Sequence, residues 1–172
     1  MPFKYFWASL FTLLLQSNIS YSQSSGYRLQ NTFHIKSDGG WDYIVADSKS
    51  NELFVSHGTQ VNIIDKNTGD SIGIIPNTTG VHGIALVHDL NKGYTSNGRL
   101  NNVTVFDLKT LKVITQIATG ENPDAIFYDD YSKKIITCNG KSKDLSVIDP
   151  ASDKVVATIA LSGKPETAVS DG

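Results

Sequence analysis

Val61-Asn62-Ile63-Ile64-Asp65, Val103-Thr104-Val105-Phe106-Asp107 and Leu145-Ser146-Val147-Ile148-Asp149 are three versions of one text. Their aspartates stand 42 residues apart both times. The same step links Thr68, Thr110 and Ser152, then Ile72, Ile114 and Val156, then Ile75, Ile117 and Ile159. A second register lies upstream in Ser56-His57-Gly58, Ser96-Asn97-Gly98 and Cys138-Asn139-Gly140, where the steps are 40 and 42. The first repeat is therefore two residues shorter between its two registers. A fixed period of this kind marks a repeat architecture.

Within each period the apolar residues form four short runs. In the third repeat they are Ala125 to Asp129, Lys134 to Asn139, Asp144 to Asp149 and Lys154 to Ile159. The runs are rich in β-branched residues and are separated by turn formers, as strands are. Beyond the N-terminal segment nothing shows helical periodicity over 11 residues. Asn97-Gly98 and Asn139-Gly140 suit left-handed turn positions. The recurring Asp and Thr read as turn pins, because an Asp carboxylate accepts a bond from the backbone two residues on. Four antiparallel strands per repeat of about 40 residues make the blade of a β-propeller. The expected fold class is all-β, with about three and a quarter blades present. The blades span about 39–78, 79–119 and 120–162, and a fourth starts at 163–172.

These residues resemble the YVTN-type, WD40-like repeats of YncE-like exported bacterial proteins. The pattern appears as Gly93-Tyr94-Thr95-Ser96-Asn97, Val103 to Asp107, Thr110, Val113, Ile117, Gly120 and Pro123. It recurs as Ile136-Thr137-Cys138-Asn139, Val147-Ile148-Asp149, Val155, Ile159, Gly163 and Pro165. The first repeat departs from it, with Phe54-Val55-Ser56-His57, and with Trp41 and Val81 where the later repeats have Pro123 and Pro165. The resemblance covers about Gly39 to Gly172 and implies a propeller, commonly of seven blades. It implies no reaction. On that reading the chain is the N-terminal portion of a longer protein, and Tyr27 to Ile35 would be the outer strand that closes the ring.

The chain opens on Met1-Pro2-Phe3-Lys4, an apolar stretch of 11 residues from Tyr5 to Leu15, and a polar run holding Ser20-Tyr21-Ser22. A bilayer span needs about 20 apolar residues, so this reads as a secretory signal peptide over 1–22, followed by a partial propeller over 23–172. The expected location is periplasmic or secreted, with no membrane span once the signal is removed. Losing Lys4 leaves 14 basic against 17 acidic residues, a charge of −3. With no cluster of Lys and Arg, nucleic acid is not an indicated partner. One cysteine, Cys138, allows neither an internal disulfide nor a CxxC site. No GxSxG, P-loop or dinucleotide fingerprint is present.

Propeller connectivity puts the loop entering the first strand and the loop joining the second to the third on one face. One column on that face begins the first strand of each repeat: Asp42, His82, Asp124 and Glu166. In a ring these would surround the mouth of the central channel. Trp41, His57, Asn97, Arg99 and Asn139 fall on the same face, and together they form the candidate ligand-binding set. Trp41 would either stack on a ligand or fill space between blades. No catalytic residue and no cofactor is indicated, although convergent acids at the mouth would admit a divalent cation. The expected function is an exported binding or scaffold module that presents a loop-rich face to a protein or small ligand. The alternative is a propeller enzyme of lactonase or quinoprotein-like type, with a metal or cofactor at the channel mouth.

Overall fold

The structure is a computed structural model that describes residues 26–37 and 39–171. The signal peptide expected over 1–22 lies outside the described residues. The chain divides into two compact units, Met1–Thr32 and Phe33–Gly172. In the first, residues 26–32 are exposed and carry no strand.

The second unit holds twelve strands and one 3-10 turn, His88–Leu90. They are β1 (Trp41–Ala46), β2 (Glu52–His57), β3 (Gln60–Asp65), β4 (Ser71–Ile75), β5 (Val81–Val87), β6 (Lys92–Asn97), β7 (Asn102–Asp107), β8 (Val113–Ala118), β9 (Pro123–Asp129), β10 (Lys134–Asn139), β11 (Asp144–Asp149) and β12 (Lys154–Ala160). They form three separate four-stranded sheets, β1 to β4, β5 to β8 and β9 to β12, each in chain order and antiparallel throughout. The first strands β1, β5 and β9 lie side by side across the three sheets. That is the arrangement of successive propeller blades with the first strand innermost.

The cores lie between blades. Phe54, Val61, Ile63 and Ile75 of the first blade meet Val81, Ile84 and Phe106 of the second, all buried, with the Phe54 and Phe106 ring centroids 6.0 Å apart. Val87, Tyr94, Val103, Val105 and Ile117 of the second blade then meet Ile126, Ile135 and Ile148 of the third. Alternation along each strand thus gives both faces of a middle blade an apolar coat. A polar tie reinforces the second junction. The buried Tyr94 hydroxyl donates to Asp153 Oδ1 at 2.9 Å, and Lys92 Nζ reaches Asp153 Oδ2 at 2.7 Å.

The turn pins are as read. Asp107 Oδ1 accepts from the backbone N–H groups of Lys109 and Thr110 and from the Thr110 hydroxyl. Asp65 accepts from Asn67 and Thr68, and Asp149 from Ser152. The two-residue difference in the first repeat also has its explanation. His57 pairs with Gln60 across a turn of two residues, whereas Asn97 pairs with Asn102 and Asn139 with Asp144 across turns of four. The tight turn uses Gly58 at φ 62°.

One expectation is corrected. Gly98 and Gly140 are not the left-handed residues of the longer turns; Asn101 (φ 53°) and Lys143 (φ 58°) are. Gly98 is small for another reason: a Cβ there would fall 2.8 Å from His82 Nε2 and from Asn122 Oδ1. No strand forms over 27–35, and none follows Ala160 among the described residues.

Candidate functional site

Every blade breaks its ladder at the same place. Trp41 pairs with His57 and Ile44 with Val55, so Asp42 and Tyr43 face only Ser56. His82 and Gly83 likewise face only Ser96, and Asp124 and Ala125 face only Cys138. Two residues against one is a β-bulge, a device that re-aims a side chain near a strand end. The bulges are held from the opposite strand. Ser56 Oγ accepts the Tyr43 N–H at 2.7 Å and donates to the Tyr43 carbonyl at 3.1 Å. Ser96 Oγ accepts the Gly83 N–H at 2.9 Å and donates to the Asp124 carbonyl of the next blade. In the third blade the free thiol of Cys138 fills the position, buried, with burial first and Asp124 second pushing its pKa up.

The bulges gather three members of the sequence column. His82 Nδ1 donates to Asp42 Oδ2 at 2.5 Å, and Asp124 Oδ1 lies 3.9 Å from the same nitrogen. A carboxylate only accepts, so the Asp42 bond places a proton on Nδ1. Tyr43 belongs to this neighbourhood as well. Burial, then the charges of Asp124 and Asp42, raise its phenol above the ordinary value. The fourth member, Glu166, is exposed, outside any strand, and paired with Lys164 at 2.7 Å.

Trp41 and His57 lie ring on ring, centroids 3.6 Å apart and 4° from parallel. His57 is buried, bonded through Nε2 to the Gly39 carbonyl at 2.8 Å and through Nδ1 to the Ser37 hydroxyl. It is thus a platform that holds the indole, while Trp41 remains 49% exposed on its other side. Asn97 and Asn139 are buried and tie their turns. Asn97 Nδ2 bonds Asn102 and Thr104, and Asn139 Nδ2 bonds Asp144 and Ser146. Arg99 is exposed in the longer second-blade turn, its stem laid over Gly80, where a Cβ would come within 2.7 Å of Arg99 Cγ.

Between the first two blades these groups enclose a cavity of about 570 Å³, lined by Trp41, Asp42, His82, Arg99, Asn122 and the backbone of Gly39, Gly40, Gly58 and Gly80, with Thr59 and Val81 completing it. The short first turn contributes only Gly58 and Thr59 to this rim, where the second blade brings Arg99. Sequence reading missed Tyr43 and the Ser56/Ser96/Cys138 column; Asn122 was legible only as part of the loop entering the third blade. The column was visible as Ser, Ser and Cys one residue before His57, Asn97 and Asn139. Among the described residues no group of three or more His, Cys, Asp or Glu could hold a metal ion, and no helix is long and apolar enough to cross a membrane.

Among solved structures the chain is similar to hydrazine synthase of Kuenenia stuttgartiensis, with 23% identity and TM-score 0.70 over 81% of this chain and 41% of that one. It is also similar to apo AztD from Citrobacter koseri, with 14% identity and TM-score 0.62 over 80% and 40%. A third likeness is to the WD40 repeats of RRP9, with 11% identity and TM-score 0.65 over 73% and 40%. At these identities the likeness shows the fold alone. The chain spans about two fifths of the length of these structures. No curated protein matches it significantly. A family model for the YncE-like beta-propeller matches residues 25–170, and the three bulged four-stranded blades agree with it: the chain belongs to the YncE-like β-propeller family.

Proposed function

We propose that the chain is an exported propeller module that binds a small ligand, or a protruding side chain of a protein partner, in the cavity between its first two blades. The observation that carries this is the convergence of an ordered indole face, the Asp42–His82 pair and Arg99 on one concave space of about 570 Å³. Recognition sites have this make-up: a fixed aromatic surface for area and a few polar groups for orientation. Asn122 completes the polar lining; Asp124 stands behind it, 3.9 Å from His82 Nδ1.

Trp41 supplies the test. Only one other tryptophan exists, Trp7, and it leaves with the expected signal peptide. In the processed chain, emission therefore reports the cavity. Titrating metabolites and peptides should give a saturable change in Trp41 emission, weakened at least tenfold by Asp42→Asn and by Arg99→Ala. Ligands that bind equally well to both variants would move the site elsewhere.

One observation favours a second reading, an enzyme of lactonase type. Asp42 fixes the proton on Nδ1 and leaves Nε2 of His82 as an acceptor, as in a general base. Lactone or ester hydrolysis abolished by His82→Gln would support it; no hydrolysis by the purified chain would remove it.

A further inference from the structure

The wall of the cavity around His82 is rich in hydrogen-bond acceptors and short of donors. Gly98, in the turn after β6, carries no side chain, and two atoms crowd the place where one would stand. They are His82 Nε2 and Asn122 Oδ1, each 2.8 Å from that point. Asp42 holds the imidazole proton on Nδ1, so Nε2 presents a lone pair and accepts, as does the amide oxygen of Asn122. The bonds these residues make lie elsewhere. His82 bonds Asp42 through Nδ1, and Asn122 bonds Asn101 and Gly140 through its backbone. Two acceptors side by side cannot satisfy one another.

Charge gives a second, separate constraint. Asp42 and Asp124 come from different blades and meet at His82, and among the described residues neither forms an ion pair with a Lys or Arg. The other acids of the same face have found partners, Glu121 in Lys141 and Glu166 in Lys164. Burial, then the charges of Asp124 and Asp42, hold the nearby Tyr43 phenol above its ordinary value, as an uncompensated negative field does.

We propose that the group recognised in this cavity is a primary ammonium, donating to His82 Nε2 and Asn122 Oδ1 while Asp42 and Asp124 supply the opposite charge. An ammonium has three donors and can serve both acceptors at once. A hydroxyl has one donor and no charge, and an oxoanion has none to give. Arg99, the one cation in the lining, donates to a carbonyl elsewhere on the ligand. The proposal rests on the cavity being the binding site and adds the chemistry that it selects.

Calorimetric titration of the whole native polypeptide tests this, with Nα-acetyl-lysine amide and n-butylamine set against the Nε-acetylated lysine and n-butanol. Both amines should bind, and either neutral replacement should weaken binding about tenfold or more. Asn122 sits at φ 55°, where Gly and Asp are both tolerated. Asn122→Gly removes the acceptor and should weaken amine binding; Asn122→Asp adds a charge and should tighten it. Preference for the lysine amide over butylamine assigns the ammonium to a protein partner, and equal binding to a free amine. Neutral probes that bind as well as the amines overturn the proposal, as does amine binding that both Asn122 variants leave unchanged. If a variant misfolds, the wild-type comparison of amine with neutral probe still decides. Should no amine bind while another probe changes Trp41 emission and loses that effect in Asp42→Asn, the ammonium falls and the cavity stands. Should no probe of any charge bind, both fall.

Discussion

Ser96 shows how much a small residue decides. Its hydroxyl serves two backbone groups at once, the N–H of Gly83 in its own blade and the carbonyl of Asp124 in the next. It therefore fixes both the bulge that aims His82 and the spacing to Asp124. Ser96→Ala leaves a buried N–H without its acceptor, a cost of about 1–3 kcal/mol. At about 2–4 °C per kcal/mol for a chain of this size, the loss is visible in a thermal melt. The carboxylates that hold turns give a different signature. Hydrogen bonds from Ser132, then from Ser170, lower Asp129 to about 2. Asp149, through Ser152 first, and Asp107, through the Thr110 N–H first, are also lowered. A depressed acid stabilises the fold above its unfolded value, near 3.8, and loses that contribution as pH falls through its folded value. Stability should thus decline from about pH 4 towards pH 2. Asp129→Asn should flatten that limb in pH-dependent denaturation.

At the scale of strands and turns, the sequence was legible wherever a period carried the information. The third-blade runs were placed within two residues, because β-branched runs and Asp-x-x-Thr or Asp-x-x-Ser turns are local signals. The gathering of Asp42, His82 and Asp124 was legible as a column for the same reason. What stayed hidden depends on partners across the sheet. The roles of Gly98 and Gly140 were misread because turn preference and close packing select the same residue. His57, Asn97 and Asn139 looked like loop-face ligands, yet each is drawn inside by hydrogen bonds that no spacing announces. Gly93 makes the point as a prediction. A Cβ there would sit 2.1 Å from Phe106 Cζ, so Gly93→Ala must displace the ring from its place beside Phe54. Overpacking of this kind costs about 1–3 kcal/mol. A matched Gly93→Ala/Phe106→Leu pair should recover part of it in denaturant titration.

Across the whole second unit, stability should be graded rather than uniform. The middle blade is sandwiched on both sides, whereas β12 lies at an edge with nearly every residue exposed. Regions with few buried contacts open first. In hydrogen exchange at low protein concentration, β6 and β7 should be slowest, β12 fastest and β1 intermediate. Tyr94→Phe should narrow the gap between the second and third blades, because it removes the hydroxyl that bonds Asp153 across their junction. Equal exchange rates in all three sheets would mean that the blades unfold as one block.

Cys138 gives that gradient a chemical readout. It is the chain's one thiol, it sits opposite the third bulge, and it is fully buried with a raised pKa. An alkylating reagent can reach the sulfur only when β9 parts from β10, so labelling speed measures how often that pair comes undone. A single mass shift per molecule, followed over time, then ranks every substitution above by its effect on one defined opening. The sulfur that replaces a serine in the column thus acts as a stopwatch for the third blade.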